Sequence, residues 1–216
     1  MEQPPKNQIS ETLSDDPTDR RARNASISSL PHLVLASASP RRAEILRTVG
    51  WPFEIFAVDI DESRMRDEVA ANYVERLARK KAEAAATQFT SRLVLGADTV
   101  VVIDYDILGK PRDEAEAHRM LRRLSGCWHQ VLTGVALSRS DDRSRSIVAH
   151  ESTDVKFAEM SDYEVEWYVS TGEPLDKAGA YAIQGRGARF IEEIRGEYFN
   201  VVGLPVRLLY ELVQQL

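Results

Sequence analysis

The chain has 216 residues, 43% hydrophobic and 29% charged, with a formal net charge of -6. That balance gives no bulk electrostatic attraction to DNA, RNA or acidic membranes, and no apolar run reaches the length of a membrane span or a secretory h-region. The lone Cys127 excludes an intrachain disulfide and a cysteine-based zinc cage, and His32, His118, His129 and His150 are too scattered to show metal-ligand spacing. The composition is that of one sizeable soluble domain, or one domain with two lobes around a cleft, in a reducing, cytoplasmic setting.

Residues 1–32 are rich in Pro, Ser, Asp and Glu with almost no apolar periodicity, and are expected to form a disordered tail. Arg20, Arg21 and Arg23 among serines resemble a transit peptide, but Glu2, Glu11, Asp15, Asp16 and Asp19 do not suit one. The domain proper is expected over 33–216. It begins with LVLASASPRRAEILRTVG, an apolar strand at Leu33–Ala36 running straight into a helix with Ser39 as N-cap, Pro40 as first residue and Gly50 as stop. Ser37, Ser39, Arg41 and Arg42 at that junction read in two ways: a phosphate site at a helix N-terminus, or a well-capped helix with two solvated arginines.

Phe53, Ile55 and Ala57 alternate as a strand and end in Asp59, Asp61 and Glu62, which form either a solvated turn or a carboxylate for a hard divalent cation. A long helix is expected over Val69–Gln88. Its apolar stripe of Ala70, Val74, Leu77 and Ala84 includes Lys81, and an ammonium on that face must reach the rim or meet an anion. Leu93–Gly96 reads as a strand that breaks at GAD and resumes as TVVVID, leaving Asp98 between two hydrophobic runs, either bonded to backbone at a strand end or acting as a catalytic or metal-binding acid.

Lys110 precedes a helix whose start, Asp113 and Glu116, matches a capping box and whose core face is Ala117, Met120, Leu121 and Leu124; GxxxxGK[ST] is absent, so this is not a P-loop. Gln130–Leu137 and Ile147–Phe157 alternate as a long hairpin. Ser161 and Glu164 box a helix carrying Val165, Tyr168 and Val169, which Gly172 closes. In the glycine-rich stretch that follows, Gln184 is either a reader of a nucleobase edge or a buried amide bonded to backbone. A last helix from Pro205 is expected to bury Leu208, Leu209, Leu212 and Val213. Alternating strands and helices, then hairpins, predict an α/β domain with a mixed sheet and a cleft.

Taken together, Arg41, Arg42, Lys81 and Lys110 as cations, Glu62 and Asp98 as oxygen ligands or base, and Gln184 as an amide read as a metal-assisted nucleotide hydrolase. LASASPRRAEIL, LGADTVVV, GKPRDEAEAHRMLRRLSG, DKAGAYAIQG and NVVGLP occur in that order, and the chain from Leu33 onward resembles the Maf family of nucleoside triphosphate pyrophosphatases. The resemblance implies an inosine triphosphate pyrophosphatase-like fold, an elongated mixed β-sheet flanked by helices with a central cleft, often as a homodimer. It implies hydrolysis between the α and β phosphates with Mg²⁺ or Mn²⁺. It makes Asp98 the proton acceptor, Arg41, Thr99 and Gln184 the specificity positions, and Ser37, Arg42, Glu62, Lys81 and Lys110 the residues of phosphate or metal handling. Asp176 and Lys177 fall in a family motif as well, as either a structural ion pair or site residues. KAGAYAIQG resembles the branch acting on dTTP and UTP. The alternatives are the 7-methyl-GTP branch and a non-catalytic regulator of septum formation.

Overall fold

The computed structural model describes residues 30–142 and 146–216; all but the last three residues of the expected tail lie outside the described residues. From His32 onward the described residues form one compact unit. In chain order its elements are β1 (Leu33–Leu35), α1 (Pro40–Thr48), β2 (Phe53–Ile55), α2 (Ala70–Ala86), β3 (Leu93–Ile103), β4 (Asp106–Leu108), α3 (Glu114–Leu124), β5 (Trp128–Arg139), β6 (Ser146–Phe157), α4 (Asp162–Ser170), β7 (Ile191–Arg195), α5 (Tyr198–Val202) and α6 (Val206–Val213). Short 3-10 turns lie at Glu173–Asp176, Ala178–Ala180 and Arg186–Phe190.

The strands form one mixed sheet in the order β2-β1-β3-β5-β6-β7, as expected of an α/β fold. β1 pairs parallel with β2 and with β3, and the remaining ladders are antiparallel. One edge of β3 is paired with β5 from Leu93 to Val102. The other is shared: β1 covers Leu93–Leu95 and β4 covers Val101–Ile103, and among the described residues no strand pairs with Gly96–Val100 on that side. This gap opens the cleft.

The expected break at GAD does not exist, because β3 runs unbroken through it. Gly96 serves packing instead of a turn: a Cβ there would lie 2.1 Å from the Ala78 carbonyl oxygen, and one on Gly134 of β5 would lie 2.3 Å from that of Val74. The two glycines let the backbone of α2 settle onto the sheet, a close approach that side chains would forbid. Val34, Val94 and Ala136 meet Ala78, Ala82, Ala85 and Ala86 on this face. The opposite face carries the larger core, in which Val101, Val131, Val155 and Phe157 pack against Leu121 and Leu124 of α3 and Val165, Tyr168 and Val169 of α4.

Smaller differences have local causes. Ser39 stands at the N-cap of α1 without a side-chain cap bond; it is Ser37 Oγ that accepts the Ser39 N–H, at 3.2 Å. At α3, Asp113 caps Glu116 N–H as expected, but the Glu116 carboxylate takes Arg112 N–H and guanidinium, so only half the box forms. The Ser161–Glu164 box is complete. β7 and α5 were hidden in the glycine-rich stretch, and α6 buries Leu209 and Leu212 while Leu208 and Val213 stay half-exposed.

Candidate active site

Successive strand residues point to opposite faces, so Asp98 and Thr99 send their side chains to the two sides of the sheet at the gap in its edge. A cleft of about 590 Å³ straddles that edge, lined by Ser37, Arg41, Arg42, Glu62, Tyr73, Lys81, Asp98, Thr99, Lys110, Asp176, Lys177 and Gln184 among others. Ser37, Arg41, Arg42, Glu62, Lys81, Asp98, Thr99, Lys110 and Gln184 therefore all lie in one cavity of the size that holds small-molecule ligands, whereas Asp59 and Asp61, the other carboxylates of the Glu62 segment, do not line it. A separate open hollow lined by Asp61, Lys80 and Glu83 shares none of the residues that line the cleft.

On the α2 side, Lys81 stands where its stripe position demands, buried, with its ammonium 2.7 Å from Asp98 Oδ1 and 2.6 Å from Glu62 Oε1. Asp98 is buried too, while the Glu62 side chain is 56% exposed. Burial pushes the Asp98 carboxyl above the ordinary aspartate range; the Lys81 ammonium and the Arg42 guanidinium hold back part of the rise. The loop bearing Glu62 is fastened to α2 by residues the sequence did not single out. Tyr73 Oη donates to the Glu62 carbonyl at 2.9 Å, and Arg76 binds the Glu68 carboxylate and the Ser63 carbonyl.

On the other side, Arg42 is buried rather than solvated. Its Nε donates to the Gly203 carbonyl (2.8 Å), one terminal nitrogen to Ser37 Oγ (3.0 Å) and the other to Thr99 Oγ1 (2.9 Å). All three acceptors are neutral, and through them the guanidinium ties α1, β3 and the loop after α5 together at the cleft wall. Thr99 Oγ1 also meets Thr133 Oγ1 at 3.0 Å, and Thr133 donates to the Asn200 carbonyl.

Arg41 reaches across to Asp176 (3.2 Å), which also pairs with Lys177. Asp176 and Lys177 are thus an ion pair on the cleft wall with Arg41 as a third member. Lys110 is exposed and has no ion-pair partner among the described residues. Its loop is fixed by the bond from Gly179 N–H to the Gly109 carbonyl (3.0 Å). Gln184 is exposed in the cleft, which overturns the buried-amide alternative, and its carboxamide makes no hydrogen bond to another described residue.

Among the described residues no group of three or more His, Cys, Asp and Glu is placed to hold a metal. The two carboxylates that meet at Lys81 do fit Mg²⁺ or Mn²⁺ of the kind held by one or two carboxylates and completed by phosphate oxygens and water.

The Maf-like protein family matches residues 32–216. The chain is 53% identical over 186 residues to the dTTP/UTP pyrophosphatase of Symbiobacterium thermophilum, covering 86% of this chain and 94% of that protein. It is 52% identical over 177 residues to the dTTP/UTP pyrophosphatase of Anaeromyxobacter dehalogenans strain 2CP-1 (82% and 89%) and 46% identical over 184 residues to that of Clostridioides difficile (85% and 94%). Among solved structures, a HAM1 protein from Coxiella burnetii is similar at 16% identity and a TM-score of 0.49, with 87% of this chain and all of that one covered. With its motif residues gathered in one cleft and a match that runs through the whole compact unit, the chain belongs to the Maf family.

Proposed function

We propose that this protein hydrolyses dTTP and UTP to the monophosphate and pyrophosphate. The observation that carries the reading is the convergence, in one cleft, of the buried Asp98 on Lys81 with the cations Arg41, Arg42 and Lys110 and the unengaged carboxamide of Gln184. Relatives about half identical in sequence bear the name of that activity.

Asp98 Oδ1 accepts from Lys81, which leaves Oδ2 to take a proton from water. The water oxygen bonds to the α phosphorus, the bond from that phosphorus to the bridging oxygen breaks, and the electron pair leaves with pyrophosphate. Arg41, Lys81 and Lys110 neutralise the charge that develops on the leaving group, and Arg42 shapes the wall through Ser37 and Thr99. Glu62, with Asp98, would hold a divalent cation, whose contribution is to polarise phosphate oxygens. Uracil and thymine present O4 and N3–H side by side, a pattern that one Gln184 amide satisfies. A single exposed cysteine and the net charge of -6 suit a cytoplasmic enzyme acting on free nucleotides rather than nucleic acid.

The test is turnover of purified protein on dTTP, UTP, CTP, ITP and 7-methyl-GTP with Mg²⁺, with pyrophosphate and orthophosphate assayed separately. Pyrophosphate mainly from dTTP and UTP is expected. Preference for 7-methyl-GTP would keep the chemistry and overturn the base assignment, and a folded but inactive protein would favour the regulatory alternative.

A further inference from the structure

Gln184 lies in a segment without regular strand or helix, yet the backbone on both sides of it is bonded to two buried or half-buried side chains. Glu173 Oε2 accepts Arg186 N–H at 3.0 Å; its Oε1 accepts Gly187 N–H at 3.0 Å and the Tyr168 hydroxyl at 2.8 Å. That hydroxyl in turn accepts Ala182 N–H at 3.1 Å. The amides of 182, 186 and 187 thus converge on one carboxylate and one phenol, while residue 184 projects between them.

The glycines of the segment are shaped to this contact. A Cβ on Gly185, whose φ is +112°, would lie 2.7 Å from Glu173 Oε2, and one on Gly187 would lie 2.5 Å from the Tyr168 hydroxyl. The motif is therefore open where the carboxylate and phenol enter. Tyr168 is fully buried in the core between the sheet, α3 and α4, so the clamp is anchored on a packed side chain. Three donors on one carboxylate make charge-assisted bonds, the strongest kind available to a loop.

We propose that Glu173 and Tyr168 are positioning residues for nucleobase selectivity, acting through the backbone of the Gln184 loop rather than by touching substrate. The proposal rests on Gln184 reading the base. Loosening the clamp frees both the orientation of the amide and the space beside it, so discrimination falls while the chemistry at Asp98, which is held by Lys81 of α2 and not by the clamp, continues.

The experiment compares full-length wild type, Glu173→Gln, Tyr168→Phe and Gln184→Ala in steady-state pyrophosphate release from dTTP, CTP and 7-methyl-GTP, with a thermal melt of each. Tyr168→Phe keeps the ring and its packing, so it tests the clamp even where Glu173→Gln fails to fold. The expected result for both clamp variants is a KM for dTTP raised about tenfold with kcat within about twofold, and the kcat/KM preference for dTTP over the other two reduced about as much. An equal fall in kcat on all three nucleotides with the preference intact would overturn the proposal. If Gln184→Ala changes the preference and the clamp variants do not, the clamp is refuted and base reading stands. If Gln184→Ala leaves the preference intact, base reading itself fails and the proposal with it.

Discussion

Lys81 and Asp98 meet at 2.7 Å between a helix and the sheet onto which two glycines, one on β3 and one on β5, let that helix settle. The pair couples packing to chemistry: the helix position that should have been apolar carries the cation that lets a carboxylate stay charged in a buried place.

Asp98→Asn is expected to lower pyrophosphate release from dTTP by about 10²–10⁴-fold, the usual contribution of a positioned base. Its thermal midpoint is expected to equal or exceed that of wild type. Because burial raises the Asp98 carboxyl, the folded state holds this proton more tightly than the unfolded chain, and the charged carboxylate costs stability at pH 7. Undiminished turnover would remove Asp98 from the mechanism.

Lys81→Met leaves Glu62 and Asp98 facing each other without the cation between them. Turnover is expected to fall about a hundredfold or more. Losing the ammonium also lifts the Asp98 carboxyl further, so the acid limb of the kcat/KM profile moves to higher pH. A profile whose acid limb stays in place would show that the ion pair does not set the base.

Gly96→Ala places a methyl group 2.1 Å from the Ala78 carbonyl oxygen and 2.7 Å from the Ala82 nitrogen. Both are backbone atoms, so α2 must lift from the sheet, at a cost of about 3 kcal/mol or more. Urea unfolding measures the loss, and activity should fall with it since Lys81 rides on the same helix. Stability like that of wild type would mean that the helix yields more easily than its packing implies.

His129 is buried beside Phe157 and Tyr181, with its Nε2 2.8 Å from the Tyr181 hydroxyl, and burial lowers it to about 4. The unfolded chain takes up this proton near pH 6.5, so between there and pH 4 the unfolded state binds more protons and the fold loses about 3 kcal/mol. Stability above pH 7 is untouched by this group. Denaturant titrations at pH 7 and 4.5 should show the loss in wild type and a flatter response in His129→Gln.

Chelation by EDTA is expected to stop turnover, and Mg²⁺ or Mn²⁺ to restore it. In Glu62→Gln the half-saturating metal concentration should rise about tenfold or more, since one carboxylate remains. Full activity of the chelated protein would exclude a divalent cation from the reaction.

Much of this was legible in the sequence wherever one residue violated a local pattern. Lys81 on an apolar stripe and Asp98 between hydrophobic runs were conspicuous as exceptions, and capping residues marked α4 fully and α3 in part. What stayed hidden depends on partners far along the chain. Arg42 reads as a surface arginine until Thr99 and Gly203, 57 and 161 residues away, close around it. Glu173 and Tyr168 act on backbone N–H groups, which leave no side-chain periodicity to detect. β7, with the sequence IEEIR and a register shift opposite Lys156 and Phe157, lacks the alternation that identifies an inner strand.

The stretch Gly96–Val100, which among the described residues has a strand partner on one edge only, limits how such an enzyme can vary. The mouth of the cleft is set by where two neighbours of one strand stop, at Leu95 and Val101, a span of roughly 20 Å at the usual rise per residue. Lengthening the β3–β4 hairpin inward would zip the opening shut two residues at a time, whereas adding residues at the tip, Asp104–Tyr105, would leave it untouched. The aperture is in effect a ruled length, counted in strand residues, and insertions elsewhere on the surface do not change its scale.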